Sequence, residues 1–169
     1  VEGNTGKYND YQNSLFNLVK ELKPKNILEI GFNAGHSACC FLNASPDSKM
    51  ITFDCCRWGY EENSLKILKD CGFDIELIKG DSEEEVPKYF KNNNTKFDFV
   101  FIDGAHSGEA PYLDMSNTMK HINVGGYMVI DDVALGNVLP SIKKISWEGW
   151  IEEDIGESEK LCRIVRREE

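Results

Sequence analysis

The stretch Asn26-Ile27-Leu28-Glu29-Ile30-Gly31-Phe32-Asn33-Ala34-Gly35-His36-Ser37 decides how the chain is read. A short apolar run from Asn26 to Ile30 ends at Gly31, and a helical stretch predicted over Ser37 to Leu42 follows at once. That order predicts a strand, a glycine turn and a helix. Gly31 and Gly35 let the backbone turn sharply and approach a ligand at the helix N-terminus, where free N–H groups attract a carboxylate or phosphate.

The same alternation recurs downstream. Met50 to Phe53 predicts a strand, Glu62 to Cys71 a helix stopped by Gly72, and Ile75 to Ile78 a third strand. The capping-box spacing Ser82-x-x-Glu85 opens another helix. Phe97 to Ile102 reads as the most apolar strand. A helix from Ala110 to His121 leads through Asn123-Val124-Gly125-Gly126 into the apolar strand Tyr127 to Ile130. Upstream, Tyr8, Tyr11, Leu15, Leu18, Val19 and Leu22 form one apolar helix face stopped by Pro24. Strands that are apolar throughout, separated by helices, indicate a parallel sheet buried on both faces. After Asp132 the pattern gives a helix around Val138 to Ile145 and two strands, Trp150 to Glu153 and Leu161 to Val165, spaced as an antiparallel hairpin. The expected fold is therefore α/β and doubly wound, a Rossmann-like, seven-stranded, mainly parallel sheet with a C-terminal antiparallel hairpin and helices on both faces. One domain is expected over 1–169, with a helical segment at 1–24, a ligand-binding core at 25–132, and a helix and hairpin at 133–169.

Composition narrows the function classes. Against 19 Lys and Arg stand 29 Asp and Glu, a formal charge of -10 that disfavours nucleic acid and anionic membrane surfaces. Arg163, Arg166 and Arg167 are too few and too near the end to form a basic patch. With 41% hydrophobic residues and no apolar run of about 18 residues, a folded protein without a membrane span is expected. The adjacent pairs Cys39-Cys40 and Cys55-Cys56 suit neither a disulfide framework nor zinc knuckles, which predicts a reducing, cytoplasmic setting. A start at Val1 rather than Met suggests a trimmed or partial chain. A homo-oligomer stays open.

In a doubly wound sheet, ligands sit at the carboxyl ends of the strands. Those positions are Gly31 to Ser37, Asp54, Asp81-Ser82, Asp103 to His106, and Asp131-Asp132. Crowded carboxylates raise one another's pKa, so they call for a cation, a hydroxyl-rich ligand or separate roles. Asp54, 23 residues after Gly31, is placed to accept from ribose hydroxyls. With Asn33 and Ser37 where a GxGxxG fingerprint has glycines, a nicotinamide-dependent dehydrogenase ranks last among the readings.

These residues resemble the class I S-adenosylmethionine-dependent methyltransferases. Ile27-Leu28-Glu29-Ile30-Gly31 with Gly35 is similar to the family's first motif, Asp54 to its acidic ribose ligand, and Gly80-Asp81-Ser82 to its adenine-contacting turn. Phe101-Ile102-Asp103 and Ile130-Asp131-Asp132 look like the small metal-dependent O-methyltransferases typified by catechol O-methyltransferase. The resemblance implies S-adenosylmethionine as cofactor, contacted by Glu29, Gly31, Asn33, Gly35, Ser37, Asp54, Asp81, Ser82 and Asp103. It implies a Mg2+ held by Asp103, Asp131 and Asp132. Where the catechol enzyme carries a general-base lysine, this chain has His106, whose unperturbed pKa of about 6.5 suits proton removal near neutrality. The related sugar enzymes place an aspartate base where this chain has Ala105.

The expected activity is Mg-assisted O-methylation of a small hydroxylated acceptor, with His106 and Asp103 catalytic. The alternatives are a metal-independent methyltransferase acting on nitrogen or another acceptor, and a cofactor-binding module with little activity. Competing structural roles also exist: Ser37 as a helix cap, His106 as a loop brace, Glu29 bonded to backbone amides, and Asp131-Asp132 as caps of the next turn. His36 is read as flanking the cofactor and His121 as a cation at a helix C-terminus. Trp58, Trp147 and Trp150 are read as pocket wall or ordinary packing. Acceptor choice is expected to lie in the segments 1–9, 57–63 and 134–150.

Overall fold

The computed structural model describes residues 9–153 and 162–169. The chain runs α1 (Asn9–Leu22), β1 (Asn26–Ile30), α2 (His36–Ala44), β2 (Lys49–Asp54), α3 (Glu61–Asp70), β3 (Asp74–Lys79) and α4 (Ser82–Asn92). It continues with β4 (Phe97–Ile102), α5 (Ala110–Met119), β5 (Ile122–Ile130), α6 (Val138–Ile142), β6 (Trp150–Glu152) and β7 (Arg163–Arg167). The seven strands form one sheet in the order β3-β2-β1-β4-β5-β7-β6. The β1 to β5 pairings are parallel, and β7 lies antiparallel between β5 and β6. The expected doubly wound sheet with its terminal hairpin is therefore the observed one.

Side chains alternate faces along a strand, so a strand covered on both sides must be apolar at consecutive positions. In β4, Phe99 and Phe101 enter one core, with Phe41 of α2 and the Tyr11, Leu15 and Val19 stripe of α1. Val100 and Ile102 enter the other, with Val86 of α4, Met115 of α5 and Val138 and Ile142 of α6. Phe41 meets both phenylalanines edge-on at ring distances of 5.0 and 5.1 Å. α1 stops where expected: Lys23 turns to a φ of +49° and Pro24, which lacks a backbone N–H, follows. No helix among the described residues is long and apolar enough to cross a membrane.

Four local expectations change. The segment Asn123-Gly126, read as a link, lies inside β5, which begins at Ile122. Pairing with β4 overrides the glycine signal there: Phe97 faces Ile122 while Phe99 faces Tyr127, a bulge that absorbs the extra residues. Gly126 is required because a Cβ would come within 3.0 Å of the Asp98 carbonyl on β4. The last strand lies at Arg163–Arg167 rather than Leu161 to Val165, because registry with both neighbours sets its span; Leu161 is outside the described residues. α6 ends at Ile142, short of Ile145. The α4 cap is Asp81, one residue before the expected Ser82. The Asp81 carboxylate accepts from the Glu83 amide at 3.0 Å, and Ser82 is the first helical residue.

Candidate active site

β1 and β4 are neighbours whose crossovers run to opposite sides, which opens a crevice at their carboxyl ends. The backbone ladder continues past the strands to build its floor. Gly31 N–H donates to Phe53 O, Asp103 N–H to Ile30 O, Asp131 N–H to Ile102 O and Gly80 N–H to Asp54 O. Gly31 has a φ of +98°, and a Cβ there would lie 2.0 Å from the Asp103 carbonyl. Only glycine lets the turn after β1 cross so close to the end of β4. This contact joins the two halves of the site.

On one side lies the glycine turn. Gly35, at φ +75°, is the N-cap of α2 and offers no side-chain cap. Ser37 therefore sits within the first turn rather than capping it, and its hydroxyl donates to Glu29 Oε1 at 2.5 Å. Thr52, paired with Glu29 across the β1–β2 ladder, donates to Oε2 at 2.6 Å. Glu29 is fully buried, and burial lifts its pKa to about 7 despite both hydroxyls. Its partners are these hydroxyls, which corrects the backbone-amide alternative. Asp54, ending β2, accepts from the Asn33 amide at 2.9 Å and the Cys56 amide at 2.6 Å. Asn33 itself has a φ of +47° and accepts from the Tyr60 hydroxyl. Asp81 and Ser82 open α4 beside Asp114 of α5, a carboxylate only 1% exposed. Burial pushes Asp114 up to about 7, and neither of its oxygens has a well-formed hydrogen bond.

On the other side lie the ends of β4 and β5. Asp103, His106 and Asp132 each offer an atom within 4.8 Å of the others, the arrangement that could hold a metal ion. His106 Nε2 stands 3.3 Å from Asp132 Oδ2 and 3.7 Å from Asp103 Oδ1. Facing Asp103 raises the pKa of His106, with burial opposing and Asp132 and Asp131 adding. Burial raises that of Asp103, which His106 lowers and Asp132 raises. Asp132 has a φ of +52°, so the chain bends sharply between the two adjacent aspartates. Asp131 sits apart from that trio. Its Oδ1 accepts from the Tyr11 hydroxyl and from the Asp132 amide, both at 2.9 Å, and burial lifts its pKa to about 7.

A methyltransferase-domain family profile matches residues 28–133, more than half of the chain, spanning β1 to the Asp131-Asp132 pair. The chain belongs to this methyltransferase family. Tapetum-specific methyltransferase 1 of Arabidopsis thaliana is 29% identical over 118 residues, 68% of this chain and 49% of that protein. A second Arabidopsis thaliana protein, provisionally named a caffeoyl-CoA O-methyltransferase, is 29% identical over 140 residues, 81% of this chain and 53% of that one. The chain thus spans about half the length of the curated relatives it matches. The O-methyltransferase TomG from Streptomyces achromogenes, solved with S-adenosylmethionine, superposes with a TM-score of 0.73 at 19% identity, covering 94% of this chain and 80% of that one. The chain thus has the Rossmann-like fold of that enzyme.

Several residues around the candidate site are not among those the sequence pattern singles out. Thr52 was detectable as the one hydroxyl in an otherwise apolar strand. Tyr11 counted only as part of an apolar stripe, and Asp114 as an unremarked helix residue. His121 differs from the expected helix-terminal cation: it lies beyond α5, stacked on Phe90 at 3.6 Å. Burial, with Lys96 and Lys120 nearby, lowers its pKa to about 4, so it is no cation at neutral pH. His36 is exposed on the first turn of α2. Trp147 and Trp150 pack edge to face at 6.0 Å against the second core, while Trp58 is exposed. A cavity of about 330 Å³ between Asn26, Lys49, Glu76, Tyr89 and Phe97 opens at the opposite, amino-terminal edge of the sheet and takes no part in this site.

Proposed function

We propose that the protein is an S-adenosylmethionine-dependent O-methyltransferase that uses a divalent cation to hold a small hydroxylated acceptor. The observation that carries this reading is the trio Asp103, His106 and Asp132, set one Gly31 contact away from the glycine turn. The donors fit a divalent cation: two carboxylates and an imidazole whose Nε2 is enclosed and makes no hydrogen bond. Asp103 and Asp132 would hold the ion. Bound there, it would lower the pKa of an acceptor hydroxyl and orient it.

The chain's own part is alignment. Methyl transfer is an in-line displacement at carbon, so the catalyst must fix the nucleophile and the methyl group relative to each other. Gly31 and Gly35 bring backbone close to the cofactor, the uncapped first turn of α2 and Ser37 suit its carboxylate, and Asp54 suits its ribose. Asp81 and Ser82 suit the adenine. Asp103 borders both halves. The net negative charge of the protein supports a small-molecule acceptor over nucleic acid.

The test is calorimetric titration of S-adenosylhomocysteine, followed by a panel of catechols, sugars and other polyols assayed with and without EDTA. Micromolar binding and EDTA-sensitive methylation that added divalent cation restores are expected. Full turnover in EDTA would remove the metal from the reading; failure to bind S-adenosylhomocysteine in any buffer would remove the whole of it.

A further inference from the structure

We propose that Asp114 of α5 is a positioning residue for the nucleobase: it draws the Ser82 hydroxyl proton inward, leaving Ser82 Oγ an acceptor that selects a 6-aminopurine over a 6-oxopurine. The proposal rests on the reading that Asp81 and Ser82 face the adenine of S-adenosylmethionine.

The carboxyl lies where two walls of the crevice meet. α4 packs against α5, and Val86 of one and Met115 of the other share the second core. Asp114 is almost wholly buried, and neither of its oxygens has a well-formed hydrogen bond. On one side is Ser82, half-buried at the start of α4, whose hydroxyl is the neighbouring donor that acts on the carboxyl. On the other is Gly104, just past β4, where a Cβ would stand 2.9 Å from Asp114 Oδ2 and 3.0 Å from Ile30 Cγ2. The turn before Ser82 is tied to the end of β2, because Gly80 N–H donates to Asp54 O at 2.9 Å.

Burying a carboxyl in that place costs stability rather than adding to it. The charged groups that act on it are Glu83 and Asp81, both acidic, while Gly104 and Ile30 bring no charge. Burial, with these two neighbours adding and Ser82 opposing, pushes its pKa up to about 7. A hydroxyl has one proton and two lone pairs. With its proton committed to an acceptor beneath, Ser82 presents only lone pairs to the crevice, so it accepts from an amino group and repels a carbonyl oxygen. Once the carboxyl is protonated it can donate to Ser82 instead, and the hydroxyl is released to serve either base.

The experiment compares S-adenosylhomocysteine with S-inosylhomocysteine, its 6-oxo analogue, by calorimetry on the whole chain. Wild type is expected to prefer the adenine form by about 100-fold at pH 7.5 and by several-fold less at pH 5.5. In Asp114→Asn, whose amide can donate to Ser82, the preference is expected to fall below about 10-fold and to lose its pH dependence. Ser82→Ala should lower it as far, and Asp114→Asn should add nothing in that background. Urea denaturation reports folding; should Asp114→Asn fail to fold, the wild-type pH profile decides, and a flat one overturns the proposal. A preference unchanged in Asp114→Asn, even where both ligands weaken together, marks a structural brace and overturns it. So does an Asp114→Asn effect that survives Ser82→Ala; in each of these cases the cofactor reading stands. No S-adenosylhomocysteine binding by the wild-type chain overturns both.

Discussion

At the glycine-turn end of the crevice, Glu29 receives hydrogens from Ser37 and Thr52, and Asp54 from the amides of Asn33 and Cys56. At the β4–β5 end, Asp103 and Asp132 face His106 and accept no amide or hydroxyl hydrogen among the described residues. Both ends gather carboxylates at strand termini, yet one set is internally satisfied and the other is not. A carboxylate supplied with protein donors can stay in place before any ligand arrives. One without them, part-exposed as Asp103 and Asp132 are, is open to water and free to meet a ligand or a cation. On the proposed function, the difference separates a preformed cofactor cradle from an end left free to take a cation.

The comparison breaks most completely at Gly31, where the two ends touch. Gly31→Ala would place a methyl group 2.0 Å from the Asp103 carbonyl at a φ of +98°. Backbone would have to move at both ends. Urea denaturation is expected to show a loss of at least about 3 kcal/mol, and both S-adenosylhomocysteine and Mn2+ binding should fall together. A variant as stable as wild type would show that the contact is looser than described.

The next effect belongs to the cradle alone. Glu29 has a folded pKa of about 7 against an ordinary 4.5, so between those values the folded chain holds a proton that the unfolded chain releases. Its contribution to stability is fully present below about 4.5 and declines as pH rises through about 7. Glu29→Gln carries no such titration. The stability advantage of wild type over Glu29→Gln should therefore shrink by about 3 kcal/mol between pH 4.5 and 7.5, read from urea midpoints at each pH. A constant gap would mean that Ser37 and Thr52 hold Glu29 ionised throughout.

A smaller, cross-wise pair sharpens the division. Asp54→Ala should weaken S-adenosylhomocysteine binding by about 10-fold with Mn2+ binding unchanged, while Asp132→Ala should do the reverse, both read by calorimetry. Coupled losses in both variants would mean that the ends form one site.

The architecture was legible because it rests on patterns the sequence displays directly: consecutive apolar positions in β1, β4 and β5, glycine at the turn after β1, and aspartates at strand ends. Those aspartates and glycines do converge on one edge. What the sequence concealed was set by tertiary partners. Whether Asn123-Gly126 turns or bulges depends on the start of β4, 25 residues earlier for the Asp98–Asn123 contact. The charge of His121 depends on the Phe90 ring and two lysines around it. Tyr11 and Asp131 are 120 residues apart, so a stripe of helix-spaced apolar residues gave no hint that one of them ends in a hydrogen bond to the site.

That bond yields the smallest and most discriminating effect. Tyr11→Phe keeps the ring in the first core and deletes only the hydroxyl that Asp131 accepts, at an expected cost of about 1 kcal/mol in urea denaturation. If Asp131 stands outside the cation's ligands, the same loss should appear with and without saturating Mn2+, because the ion would stabilise both proteins equally. If Asp131 instead turns toward the ion once Tyr11 releases it, the variant binds Mn2+ more tightly and the loss shrinks when the ion is present. The difference between those two denaturation experiments thus reports whether Asp131 belongs with the satisfied carboxylates of the cradle or with the unsatisfied pair beside His106.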